Sequence, residues 1–215
     1  MSIFLDWARF RIRAGFSPII LIVGKQRMGK TFAALTFASW LDKTFDPEKQ
    51  MFFDILSFAK AVNKYNNKVL ILDEVGVELD TYRYSDARQR AFSHIVQSQA
   101  YKQNTLFLVL PHSSDLARCH RKYVDALIVI PARRMAIMYM PSVFYHDMNE
   151  IDIRTRKATV MVGVPLPPQH LLELYKQRYE KQIKQGIMIN EIEKLEIFMN
   201  KKNTILKTQT SSGQL

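Results

Sequence analysis

A single cysteine, Cys119, stands in the 215 residues, so the chain can form no internal disulfide and no cysteine-rich zinc site. On a helical stretch it serves as a small apolar filler. No apolar run approaches the roughly 18 residues needed to cross a bilayer. Arg9, Arg11 and Arg13 near the N-terminus are not followed by a cleavable apolar segment with a small-residue site, so the expected location is the cytoplasm. No internal repeat is visible. Acidic residues are in deficit: 20 Asp and Glu face 31 Lys and Arg, a net charge of +11, which favours a polyanionic partner. From Arg83 to Arg134 nine basic residues meet three acidic ones, so about half of the excess sits in a quarter of the chain. Two readings of that segment stay open: solvated helical faces, or contact with a nucleic-acid backbone. Hydrophobic content of 47% excludes wholesale disorder, and the length suits one α/β core with appendages.

Glycine is scarce as well, seven in all, yet two bracket one short loop. Residues 24–31 read G-K-Q-R-M-G-K-T, and the preceding Pro18–Val23, P-I-I-L-I-V, has the composition of a buried strand. Strand, glycine-bracketed loop and helix in that order form a phosphate-binding loop. Gly24 and Gly29 let the backbone curl so that the N–H groups of Gly24, Lys25, Gln26, Arg27, Met28, Gly29, Lys30 and Thr31 turn toward phosphate oxygens. The next helix adds its positive end. Lys30 would neutralise β/γ-phosphate charge, and the Thr31 hydroxyl would ligate Mg2+. ATP and Mg2+ are the expected ligands. Lys25 carries two readings: a solvent-facing side chain, or a lysine that reaches a second nucleotide across a dimer, as in partitioning ATPases.

Lys68–Glu74, K-V-L-I-L-D-E, is an apolar run ending in two carboxylates, the pattern of a central parallel strand that delivers acid at its C-terminal edge. Asp73 would share the metal with Thr31, and Glu74 would orient and deprotonate the water that attacks the γ-phosphate. A Glu74 that merely caps the turn beside Gly76 is the structural alternative.

Further elements alternate. Ile3–Arg13 reads as a basic amphipathic helix, and Thr31–Leu41 as a helix turning Phe32, Leu35, Ala38 and Ser39 to the sheet. Gln50–Phe53 is a brief strand, and Asp54 caps a helix to about Lys64. This insertion separates the loop strand from the acidic strand, which predicts that the two are not immediate neighbours. Asp86–Gln103 is helical, with Phe92, Ile95, Val96 and Gln99 on one side. Thr105–Leu110 is a buried strand, followed by Pro111-His112-Ser113-Ser114 and a short basic helix opened by Asp115. Ala126–Ile130, Met135–Met140 and Arg156–Val162 are strands. The expected fold is α/β: a mostly parallel central sheet with helices on both faces, and a C-terminal helical extension. The expected organisation is an N-terminal basic helix over 1–16, a core over 17–164, the extension over 165–207 and a disordered tail over 208–215.

The loop G-K-Q-R-M-G-K-T, the strand L-I-L-D-E-V-G and the later L-V-L-P-H-S-S-D-L-A-R together resemble the FtsK-HerA branch of P-loop ATPases. Within it they are similar to the small genome-packaging ATPases of archaeal turreted icosahedral viruses and related elements. The resemblance covers roughly Ile19 to Ile130, with a Pro-rich segment and helix after Val164. It implies the additional-strand, catalytic-glutamate type of sheet. It implies an ATP-hydrolysing motor that translocates or packages DNA through backbone contacts, in a ring-shaped homo-oligomer, with a capsid or portal protein as a further partner and the host cytoplasm as location. His112 takes the place of this branch's polar γ-phosphate sensor, often glutamine; a turn residue bonded to backbone is its other reading. An arginine from a neighbouring subunit would complete the site, and Arg83, Arg88, Arg90, Arg118 and Arg121 are the candidates. Competing functions are an AAA+-type helicase loader or replication ATPase, and a nucleotide-dependent partitioning or scaffold switch. A secretion or phage-assembly ATPase of the zonula-occludens-toxin type stands close to the main reading.

Overall fold

Runs of four or five apolar residues without polar alternation suit strands whose two faces are both covered, and three such runs form the middle of the sheet. The computed structural model of the chain describes residues 2–73, 92, 95–96, 101–116, 118–139, 142–147, 150–154 and 160–178. The strands are β1 (Ile19–Val23), β2 (Met51–Phe52), β3 (Val69–Asp73), β4 (Thr105–Leu110), β5 (Ala126–Ala132), β6 (Met135–Tyr139), β7 (Ser142–Asp147), β8 (Glu150–Arg154) and β9 (Val160–Gly163). Seven of them form one sheet in the order β2-β3-β4-β1-β5-β6-β9. The first five run parallel, β6 runs against them, and β9, antiparallel to β6, returns to their direction, so the sheet is mostly parallel, as expected. β4 lies between β1 and β3, so the acidic strand is indeed one place removed from the loop strand. Val23 pairs with Leu110, and Asp73 with Val109, which aligns the C-terminal ends of all three along one edge.

β7 and β8 pair only with each other, an antiparallel hairpin that the sequence reading did not anticipate. The D-M-N-E segment joining them holds no Asn-Gly or Asp-Gly, the dipeptides that announce a two-residue hairpin turn. The chain clusters into two compact units, residues 1–172 and 173–215.

Helices cover both faces of the sheet. On one, α4 (Ile55–Lys64) packs with Phe92, Ile95 and Val96 onto Leu21, Leu70, Leu72 and Leu108. Asp54 caps α4 as its position predicts, its carboxylate accepting from the Ser57 N–H at 2.7 Å. On the other face lies α2 (Lys30–Leu41), whose Phe37 stacks on Phe107 of β4 with ring centres 6.4 Å apart. The sequence reading turned only Phe32, Leu35, Ala38 and Ser39 inward, and the structure corrects this. Ala33 through Ala38 are all buried, whereas Phe32 and Ser39 are partly exposed. The cause is a second layer: α1 (Ser2–Arg13) lies over α2, with Phe4 against Phe37 at 5.1 Å. A helix covered on two sides shows no single apolar stripe.

Asp125, just before β5, fixes the entry to β1. Its carboxylate accepts from the Ile19 N–H at 2.9 Å and pairs with Arg11 of α1. Burial pushes this carboxyl above the usual range, with the Ile19 N–H and the Arg11 guanidinium opposing it only in part.

A short α3 (Pro47–Gln50) takes Gln50 from the predicted strand, which therefore starts at Met51. Asp115 does not open an α-helix: Ser113–Asp115 is a 3-10 turn, and α5 begins at Arg118 and ends at Arg121. The last described helix is α6 (Gln169–Arg178), with Leu171 buried. Among the described residues no helix is long and apolar enough to cross a membrane.

Candidate functional site

The two bracketing glycines are needed for different reasons. A Cβ on Gly24 would lie 2.6 Å from the carbonyl oxygen of Ile130, so the loop begins in van der Waals contact with the backbone of β5. Gly29 has φ +91°, a left-handed conformation, and a Cβ there would meet nothing within 4 Å. The first glycine lets chains pack, and the second turns the backbone into α2 beside open space. Arg27 also takes a left-handed conformation, φ +63°, although it is not glycine. Such strain costs on the order of 1–3 kcal/mol and concentrates at ligand sites.

Within the curl, the Lys30 ammonium donates to the Lys25 carbonyl at 3.1 Å, which holds the charge over the loop. The Gly24 N–H donates to the Pro111 carbonyl at 3.2 Å, tying the loop to the segment that leaves β4. Lys25, Gln26 and Arg27 are exposed.

Gly24→Ala is expected to destabilise the fold by about 1–3 kcal/mol, because a backbone carbonyl cannot swing aside as a side chain can. In thermal denaturation each kcal/mol lowers the midpoint by roughly 2–4 °C. Gly29→Ala, which is strained but meets no atom, is expected to lose less. Equal losses would show that contact with Ile130 does not constrain the loop.

Thr31 and Asp73 come from elements 42 positions apart, and their side chains meet: the Thr31 hydroxyl donates to Asp73 Oδ2 at 2.8 Å. Asp73 is a buried carboxylate at the end of β3. Two hard oxygens at the foot of a glycine-bracketed loop fit Mg2+, which takes one or two protein oxygens and completes its octahedron with phosphate and water. Among the described residues no cluster of three or more His, Cys, Asp or Glu offers an all-protein cage. The donor set therefore suits a metal that arrives with a phosphate ligand. Glu74 lies outside the described residues.

His112 is exposed at the same sheet edge and opens the 3-10 turn after β4. Its N–H donates to the Asp115 carboxylate at 2.8 Å. Arg121 donates to the Leu116 and Ser114 carbonyls at 2.8 and 3.0 Å, so among the arginine candidates it braces this turn. Arg118 lies in α5, and Arg83, Arg88 and Arg90 lie outside the described residues.

A cavity of about 300 Å³ adjoins the loop, and beyond the loop residues Arg27, Met28 and Gly29 the sequence reading assigned it none. Met28 and Gly29 form its loop side, and Phe32 stands at the start of α2. Arg134 comes from the β5-β6 turn, Met135 from the start of β6, and Leu166 from the Pro-rich connector. Adjacent strand patterns at 126–130 and 135–140 implied a turn at Arg133-Arg134 but not what the turn faces.

The chain has likenesses among solved structures. A genome-packaging NTPase from Sulfolobus turreted icosahedral virus 2, solved in complex with AMPPCP, is 12% identical over 69% of this chain and 98% of its own, with a TM-score of 0.46. The N-terminal domain of zonular occludens toxin from Neisseria meningitidis is 13% identical over 74% of this chain and 98% of its own, TM-score 0.47. The cytoplasmic domain of the Type VII secretion ATPase EccC from Thermomonospora curvata is 9% identical over 71% of this chain and 24% of its own, TM-score 0.44. Neither a protein-family model nor a curated protein sequence matches the chain.

Proposed function

We propose that this chain is a Mg2+-dependent ATPase that drives DNA movement, a translocation or packaging motor working as a ring-shaped homo-oligomer in the cytoplasm, the host's if the chain is viral. The observation that carries the chemical half is the 2.8 Å contact between Thr31 and Asp73 directly beneath the glycine-bracketed curl. The +11 net charge supports the other half.

In this reading the backbone N–H groups from Lys25 to Thr31 and the Lys30 ammonium bind the phosphates, while the Gly24 N–H, held by the Pro111 carbonyl, anchors the loop instead. Thr31 and Asp73 would hold the metal, which would supply neutralisation of the phosphate charge. Glu74 accepts a proton from the attacking water, and His112 stands where a sensor of the γ-phosphate belongs. An arginine from a neighbouring subunit stabilises the charge that develops in the transition state. Loss of the γ-phosphate then loosens the subunit interface, which is how turnover becomes motion. The basic surface between Arg83 and Arg134 meets the DNA backbone without reading bases. A capsid or portal protein would receive the cargo.

The experiment that tests this reading measures ATP turnover with and without duplex DNA while recording oligomeric mass. Stimulated turnover in a closed ring is expected. Very slow turnover with nucleotide-dependent dimerisation would instead identify a switch. DNA affinity is expected to fall by roughly 10³–10⁵ between 50 and 200 mM salt if six to ten phosphates are contacted. A salt-independent affinity in a filter-binding or anisotropy titration would reduce the positive charge to a solubilising surface.

A further inference from the structure

The cavity beside the loop is built from three walls that the fold locks in place. The turn of the β5-β6 hairpin is one wall: Arg134 sits there at φ +64°, and its carbonyl accepts from the Val164 N–H at 2.8 Å. The connector after β9 is the second. Its Pro165 carbonyl accepts from the Thr36 hydroxyl at 3.1 Å, so the Pro-rich segment is pinned to α2. α2 itself, through Phe32 and Ala33, is the third. The contact of Gly24 with Ile130 fixes the hairpin against the loop, so the cavity and the phosphate curl hold one geometry.

Two features say what would fill it. Met135 is 39% exposed and Leu166 50%, large apolar side chains left open on the cavity. Arg133 and Arg134 bring planar guanidinium groups that stack on flat rings and donate to ring nitrogens. An apolar slot with a few cationic donors and a volume at the low end of the roughly 300–1,000 Å³ of small-molecule sites matches a flat heterocycle with its sugar. Gly29 belongs both to the cavity and to the curl, so a single ligand can occupy the two together.

We propose that this cavity seats the base and ribose of the nucleotide, with Met135 and Leu166 covering the ring and Arg133 and Arg134 at its edge, an assignment that rests on the loop being the phosphate site. The chain would then select a nucleoside triphosphate over a bare polyphosphate through residues that lie far outside the loop in sequence.

Calorimetric titration of the full chain with ATP and, separately, with inorganic tripolyphosphate tests this. The variants are Lys30→Ala and the double variant Met135→Ala/Leu166→Ala, whose exposed positions leave the core untouched. The double variant is expected to weaken ATP about tenfold while changing tripolyphosphate less than about twofold, and Lys30→Ala to weaken both. Unchanged ATP affinity in the double variant, with both ligands weakened by Lys30→Ala, would overturn the cavity assignment and keep the loop. Equal weakening of both ligands by the double variant would also overturn it, because the apolar pair would then only support the loop. Unchanged affinity for both ligands in Lys30→Ala would overturn the phosphate site and this assignment with it.

Discussion

Glu74→Gln is expected to bind Mg-ATP within a few-fold of the wild type and to lose turnover by roughly 10²–10⁴, the usual contribution of a positioned general base. The expectation follows from Asp73. That carboxylate is buried at the end of β3, with its Oδ2 on the Thr31 hydroxyl, so it is committed to the foot of the loop. Glu74 is the next residue in the chain. The amide of glutamine keeps the size of the side chain and removes its ability to take a proton. Single-turnover hydrolysis with calorimetric binding separates the two effects. Wild-type turnover in this variant would remove Glu74 from the chemistry and leave the turn beside Gly76 as its role.

Lys30→Ala is expected to abolish tight nucleotide binding. Losing one partner of a desolvated charge pair costs about 2–5 kcal/mol, a loss of affinity between tens and several thousand fold. The Lys30 ammonium is already held over the curl by the Lys25 carbonyl at 3.1 Å, so the wild-type chain presents it in place. Titration with ATP reads the loss directly. An affinity equal to the wild type would mean that the curl does not cradle phosphate.

Much of this was legible in the residues because the signals were local. Continuous apolar runs marked β1, β3 and β4, and Asp54 announced the start of α4. The strand and helix inserted between the loop strand and the acidic strand pointed to their separation in the sheet, but the strand that comes between them is β4, and the inserted β2 lies at the edge beyond β3. The reading was poorer where burial came from two sides, as in α2, whose outer surface is hidden by α1. It also missed the β7-β8 hairpin, which lacks a strong turn dipeptide.

By itself the sequence determined that a glycine-bracketed loop follows a buried strand and that a carboxylate ends another, because glycine spacing and apolar runs act over a few residues. Only the tertiary structure decided that Thr31 and Asp73 meet at 2.8 Å, and that Arg134, Met135 and Leu166 share a cavity with Gly29. Those contacts join positions 42 to more than a hundred residues apart. They depend on strand order and on the Gly24–Ile130 approach, and no local pattern encodes either.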